Sequence, residues 1–106
     1  MLPLALVVLL AGCGGPSFAE ADPNGYKACQ LLIQANQSDD SADRVNGILD
    51  EGQLAIVAES ADIRASATKL ATSFSYVDPD KLTTACEAHG VKIPKMVAVH
   101  EAPSGG

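Results

Sequence analysis

The sequence predicts an all-α protein, a small disulfide-tied bundle of about four short helices. Apolar residues recur at helical intervals, and no segment alternates between apolar and polar residues over the length of a strand. The pairs Asp22-Pro23 and Asp78-Pro79 each precede a helical pattern that carries one cysteine about two turns further on. Because Asp is favoured as an N-cap and Pro at the first helical position, both pairs indicate helix starts.

The first two helices are predicted over residues 23–36 and 42–59. In the first, the residues of the inner face are Tyr26, Cys29 and Ile33, with Leu32 beside them. In the second, the apolar stripe comprises Val45, Ile48, Leu49 and Ile56. A glycine inside a helix costs about 1 kcal/mol relative to Ala. Gly47 and Gly52 therefore indicate a close helix contact or a kink, and Gly52 is the expected interruption.

The last two helices are predicted over residues 62–75 and 79–89. The third helix has the most regular stripe, formed by Ile63, Ala67, Leu70, Ala71 and Phe74. Core packing is the preferred interpretation of this stripe, with a partner-binding groove as the alternative, because a small domain needs its large apolar groups inside. In the fourth helix, the inward residues are Leu82, Ala85 and Cys86, followed by a C-terminal cap at Gly90 and Val91.

The N-terminal residues Leu10-Ala11-Gly12-Cys13 resemble the lipobox of bacterial lipoproteins. They follow an apolar run at residues 2–10 that is shorter than the roughly 20 residues a membrane-spanning helix needs. The resemblance implies that residues 1–12 are a signal peptide and that Cys13 carries a diacylglyceryl thioether. No Lys or Arg precedes the run, which departs from the usual signal and leaves open a start upstream of Met1. A rival cleavage site follows Ala21.

The anchor sets the expected location and domain organisation. Residues 13–21 are predicted to be the lipidated cysteine and a flexible linker, residues 22–94 the helical domain, and residues 95–106 a flexible tail. Two acyl chains suffice for stable attachment, so the protein is expected to be exported and held at the outer face of the bacterial cell membrane through the Cys13 lipid. The net charge of −6 argues against nucleic acid as a partner and against a basic membrane-binding patch.

The two remaining cysteines, Cys29 and Cys86, favour a disulfide in an exported chain. Closing a loop of this length stabilises the fold by about 4 kcal/mol. The alternatives are two reduced buried thiols or a metal pair. Cys86 and His89 have a spacing that can supply two zinc ligands, with Cys29 and His100 to complete the set. Because disulfide formation competes for both thiols, no metal is expected.

The sequence also predicts no enzyme and no cofactor. Asp39, Asp40 and Asp43 lack the spacing of an EF-hand, and a solvated helix N-terminus explains them better than a calcium site. No serine lies in a nucleophile elbow, and His89 and His100 are the only histidines that could act as a base.

The whole chain resembles the small secreted lipoproteins of actinobacteria and their phages. The lipobox, the short linker, the Ala-rich helices and the run LTTACEAHGV at 82–91 carry this resemblance over most of the mature chain. It implies location and architecture rather than an activity. We therefore expect a small binding module of the cell envelope with an envelope protein as partner. The alternatives are a phage-encoded superinfection-exclusion lipoprotein and a membrane-tethered carrier of small ligands.

Overall fold

A computed structural model describes residues 17–71 and 74–98 of the chain. In this part of the chain, five helices and one two-stranded sheet follow in the order α1 Phe18–Ala21, α2 Pro23–Gln37, α3 Ser41–Ala55, α4 Ala61–Ala65, β1 Ala67–Ala71, β2 Phe74–Val77 and α5 Pro79–Ala88. The fold is therefore mostly helical, as expected, but it is not all-α. Cys13, the predicted signal peptide at 1–12 and His100 lie outside the described residues.

Both Asp-Pro pairs start a helix, as predicted. The Asp22 carboxylate accepts the backbone N–H of Gly25 at 3.0 Å, and the Asp78 carboxylate accepts the backbone N–H of Asp80 at the same distance. Pro23 and Pro79 occupy the first turn of α2 and α5, where a missing N–H costs little.

Asp22 also joins two distant parts of the chain. Its buried carboxylate accepts the backbone N–H groups of Glu59 at 2.9 Å and Ser60 at 3.0 Å. Burial alone would raise the pKa of Asp22, but these bonds, the Ser60 side chain and the Gly25 N–H outweigh it, so the pKa lies below its usual value. The cap of α2 therefore also fixes the loop between α3 and α4.

The C-terminal cap of α5 is the one that the sequence predicts. Gly90 has a φ of +88°, a conformation that glycine adopts without strain. The backbone N–H of Val91 donates to the carbonyl of Cys86, and the N–H of Gly90 donates to the carbonyl of Glu87, both at 3.0 Å. This pair of bonds is a Schellman motif, and Val91 packs against the core beside it.

The third helix predicted over 62–75 is wrong. Helix α4 ends at Ala65, and an antiparallel hairpin follows in which Ala67 lies opposite Val77. Ser66 forms the base of this hairpin, because its hydroxyl donates to the Ile63 carbonyl at 2.7 Å and its carbonyl accepts the Asp78 N–H at 2.8 Å. Burial alternates along β2, as in a strand with one covered face. Four residues of the predicted stripe lie in the strands instead, because β2 packs against α3 at Gly52, a contact that local spacing does not contain; they are Ala67, Leu70, Ala71 and Phe74.

Gly52 does not interrupt α3, contrary to the prediction. A Cβ atom at this position would lie 2.5 Å from the Cα of Tyr76, so glycine lets the backbone of β2 approach the helix. Gly47 makes the close helix contact that was the other interpretation, because its Cβ would lie 3.0 Å from the Cβ of Ala35 on α2.

The inner faces of α2 and α3 are rotated relative to the predicted stripes. On α2, Leu32 is buried whereas Ile33 is half-buried, and on α3, Val45 is 57% exposed. On α3, the hairpin covers the helix at Gly52, which lies two turns from Val45 on the same side of the helix, and Val45 stays exposed. The buried apolar residues of the core are Ala28, Cys29, Leu32, Ala55, Ala58, Ile63, Val77, Leu82, Ala85, Cys86 and Ile93.

The predicted disulfide between Cys29 and Cys86 is present. Their Cα atoms are 5.8 Å apart, and both residues are fully buried. The bond joins α2 to α5 across 57 residues of intervening chain.

The structure describes residues on both sides of the predicted domain at 22–94. Helix α1 lies within the expected linker at 13–21, so the body already includes Ser17. At the other end, the backbone N–H of Val97 donates to the carbonyl of Asn36 at 2.9 Å, so the predicted tail at 95–106 is in fixed contact with the body at this residue.

Removing the disulfide tests its contribution to stability. We expect the double variant Cys29→Ala/Cys86→Ala to lose about 4 kcal/mol of unfolding free energy, because its unfolded state has no cross-link and gains the entropy of an open loop. Urea denaturation of the variant and the oxidised wild type measures this difference. A loss below about 1 kcal/mol would show that packing alone holds α2 against α5.

A pair of glycine substitutions tests the contact between α3 and β2. Gly52→Ala should destabilise the protein by about 1–3 kcal/mol, because the methyl group meets strand backbone that cannot move aside. Gly47→Ala is the matched control, since it meets only side-chain atoms, the Ala35 Cβ and a Glu51 carboxylate oxygen, each at 3.0 Å, and gains about 1 kcal/mol of helix propensity. Equal effects in thermal unfolding would contradict the close approach at Gly52.

Candidate functional site

The N-terminal end of the described body is fixed by local contacts. Ser17 caps α1 by a capping box, in which its hydroxyl accepts the Glu20 N–H at 3.2 Å while its own N–H donates to the Glu20 carboxylate at 3.3 Å. The ring of Phe18 stacks on His89 with ring centroids 4.5 Å apart, and it meets Tyr26 edge-on at 6.0 Å. Helix α1 therefore packs beside the end of α5. Within the described ranges, no helix is long and apolar enough to cross a membrane.

His89 has a structural position at the end of α5. Its Nε2 atom lies 2.9 Å from a carboxylate oxygen of Asp62, which joins α5 to α4 and forms an ion pair when the imidazole is protonated. Cys86 is in the disulfide, so the zinc alternative loses two of its four ligands. Between residues 17 and 98, apart from 72–73, no three His, Cys, Asp or Glu residues form a group that could hold a metal ion.

Two carboxylates of the acidic segment between α2 and α3 have local partners. Asp40 caps α3 by accepting the backbone N–H of Ala42 at 2.9 Å, and Asp43 accepts the hydroxyl of Ser38 at 2.8 Å. These bonds satisfy the helix N-terminus, as the sequence interpretation of this segment expects.

The hairpin carries three of the seven exposed large apolar side chains of the described chain; the others are Val45, Val57, Met96 and Val97. Leu70 on β1 is 57% exposed and Phe74 on β2 is 43% exposed, and Tyr76 lies two residues further along β2 on the same side of the strand as Phe74. We call these three residues the hairpin surface. Strand β1 pairs only with β2 among the described residues, so its other edge keeps unpaired backbone groups. The stripe that was expected to enter the core thus contributes Ile63 to it and leaves Leu70 and Phe74 outside.

A shallow groove lies between α4 and α5. It has a volume of about 490 Å³, and Asp62, Asp80 and Lys81 are among the residues that line it. The buried polar residue in its lining is Ser66, whose hydroxyl is already bonded to the Ile63 carbonyl. An open groove of this kind has no free buried donor or acceptor to orient a small ligand, so it does not favour the carrier alternative.

Glu51 is the functional candidate that sequence reasoning missed. It lies on α3 with 1% of its surface exposed, and neither carboxylate oxygen has a hydrogen-bond partner among the described residues. Burial, together with the charge of Asp50, raises its pKa to about 8. Its position three residues after Ile48 and four before Ala55 places it on the buried face of the helix, and this spacing is the signal that could have identified it.

The chain matches no protein family model, no curated protein and no solved structure.

Glu51 makes the stability of the fold depend on pH. Its pKa rises from 4.5 to about 8 on folding, so between these values the folded state holds a proton that the unfolded state has released. The unfolding free energy should therefore fall as pH rises through this range, by up to about 1.4 kcal/mol per pH unit from this group. In Glu51→Gln this contribution should disappear, whereas Asp50→Asn should retain it. If the unfolding free energies of the wild type and Glu51→Gln, measured by urea denaturation, changed with pH in the same way, Glu51 would not be the source of the pH dependence.

Proposed function

We propose that this protein is an exported, lipid-anchored module of the bacterial cell envelope that binds an envelope protein through its hairpin surface. The observation that carries the binding role is the exposure of Leu70 and Phe74 in a domain with few large apolar side chains. A small soluble domain gains stability by burying such groups, so leaving them outside favours a role in contact with a partner.

The disulfide supports export. Disulfides persist in oxidising compartments and are rare in the cytosol, where thiols are kept reduced. The Cys29–Cys86 bond is fully buried and joins two core helices, so it belongs to the stable fold.

The start of the folded body supports Cys13 as the anchor. Cleavage after Ala21 would remove Phe18, which packs against His89 and Tyr26, whereas cleavage before Cys13 keeps it. Only residues 14–16 separate Cys13 from Ser17, and a chain of this length reaches at most about 14 Å. A lipid on Cys13 would therefore hold the body close to the membrane surface.

The chemistry of the hairpin surface supports a protein partner. Aromatic side chains dominate the binding energy of many protein interfaces, and Phe74 and Tyr76 offer two on one face. The unpaired edge of β1 offers backbone donors and acceptors to an added strand. The net charge of −6 makes nucleic acid an unfavourable alternative.

Metabolic labelling tests the anchor. We expect radiolabelled palmitate to enter the wild type and not Cys13→Ala, and the wild type to fractionate with membranes while the variant is released. Label in both proteins, or in neither, would contradict lipidation at Cys13.

Site-specific cross-linking tests the hairpin surface in cells. Leu70→Ser and Phe74→Ser should each reduce the yield of a discrete cross-linked envelope protein about tenfold, because truncating a central interface residue costs roughly 1.4 kcal/mol or more. Val45→Ser is the matched control, since Val45 is as exposed as Leu70 but lies on α3. All three variants should keep palmitate labelling. Equal loss in the control, or no loss in either hairpin variant, would contradict this surface.

A further inference from the structure

Residues 94–97 form a strap that crosses the body near the junction of α2 and α3. Two residues hold it. The Asn36 side-chain amide donates to the Pro94 carbonyl at 2.9 Å, and the Asn36 carbonyl accepts the Val97 N–H. The Arg44 guanidinium donates to the Val97 carbonyl and to the Met96 sulfur, and also to the Ser38 carbonyl.

The carboxyl group of Glu51 lies beneath this strap. It borders a cavity of about 40 Å³ whose walls include Asn36 and Arg44, the residues that hold the strap, and Met96 of the strap itself. Arg44 and Glu51 are seven residues apart on α3, so two helical turns place them on the same side of the helix. The strap therefore closes over a buried acid that has no polar partner among the described residues.

Arg44 is the charged group on the cavity wall besides Glu51 itself. The other elements packed around the cavity contribute uncharged side chains, which are Leu32, Ala35 and Asn36 from α2, Pro79 from α5 and Met96 from the strap. Asp50, the neighbour of Glu51 on α3, adds a negative charge that opposes ionisation of Glu51. Arg44 is therefore the cation that the described wall of the cavity offers to the carboxylate once it forms.

The charge state of Glu51 determines whether its carboxyl group needs Arg44 as a counter-ion. When Glu51 is protonated it is neutral, and the guanidinium can remain bonded to Met96 and Val97. When Glu51 is ionised, an unpaired carboxylate in the interior costs several kcal/mol and needs either a cation or water. Arg44 can supply the cation by leaving the strap, and water can enter the cavity that Met96 lines.

We propose that the strap is a proton-controlled latch, closed over the cavity while Glu51 is protonated and released when Glu51 ionises. Release uncovers the carboxylate and the apolar wall formed by Leu32 and Ile48. With the pKa of Glu51 raised to about 8 by burial and the Asp50 charge, the latch is closed at neutral pH and opens as pH rises through that value.

Nuclear magnetic resonance on the full chain tests the latch. Met96 is one of two methionines, so its methyl signal can be assigned and followed from about pH 6 to about pH 9.5 together with the Glu51 carboxyl carbon. In the wild type, both signals should move with one midpoint near pH 8. The open-to-closed ratio should change about tenfold per pH unit near that midpoint. Trypsin cleavage after Lys95 should accelerate over the same range.

Two variants separate the latch from a general loosening of the fold. Glu51→Gln should keep the closed Met96 signal and slow cleavage throughout, when cleavage is compared with the wild type at each pH. Asp50→Asn should lower both midpoints together, because it removes the opposing charge. A Met96 signal that stays constant while the Glu51 carboxyl titrates would overturn the proposal. A pH transition of the Met96 signal in Glu51→Gln like that of the wild type would also overturn it. If that variant does not fold, different midpoints for the Met96 methyl and the Glu51 carboxyl carbon in the wild type would overturn it.

Discussion

The covalent bond between Cys29 and Cys86 is the constraint on which this fold depends. Six of the eleven buried apolar residues in the described chain are Ala or Cys, so the core contains few of the large side chains that hold most domains together. A chain of this size buries a modest fraction of its surface, and a cross-link that removes unfolded-state entropy compensates for that. Helices α2 and α5 are the fixed pair, and the other elements are attached to them.

The other elements are attached to α2 and α5 by specific polar contacts more than by buried apolar surface. Asp22 caps α2 and at the same time binds the backbone at Glu59 and Ser60, which fixes the entry to α4. The Ser66 carbonyl binds the Asp78 N–H, so the base of the hairpin is closed by the residue that caps α5. These contacts tie the loop before α4 and the base of the hairpin to the starts of α2 and α5.

The parts of the fold that depend on neighbouring residues were predictable from the sequence. Asp-Pro pairs and a terminal glycine specify helix ends through local hydrogen bonds, and the ends of α2 and α5 are close to those expected. The hairpin was not predictable in this way, because its strand β2 is selected by contact with Gly52, a residue more than twenty positions away. The local apolar spacing over 63–74 favoured a helix, and the tertiary contact at Gly52 overrides that preference.

The residues of the candidate site also differ in how well the sequence predicts them. The pairing of Cys29 with Cys86 followed from counting cysteines. Glu51 was not predicted to be buried, because acidic side chains are normally exposed to solvent. Only the packing of α2, α5 and residues 94–97 around α3 makes Glu51 a buried group. The lipid on Cys13 is a proposal from the lipobox, and the described residues start four positions later, at Ser17.

Intact mass spectrometry of the protein purified from bacterial membranes shows in one measurement whether Cys13 is lipidated and whether the disulfide is formed. We expect one species that begins at Cys13, carries a diacylglyceryl group and has two hydrogens fewer than the reduced chain. An unlipidated species that begins after Ala21, or a species with two free thiols, would contradict it.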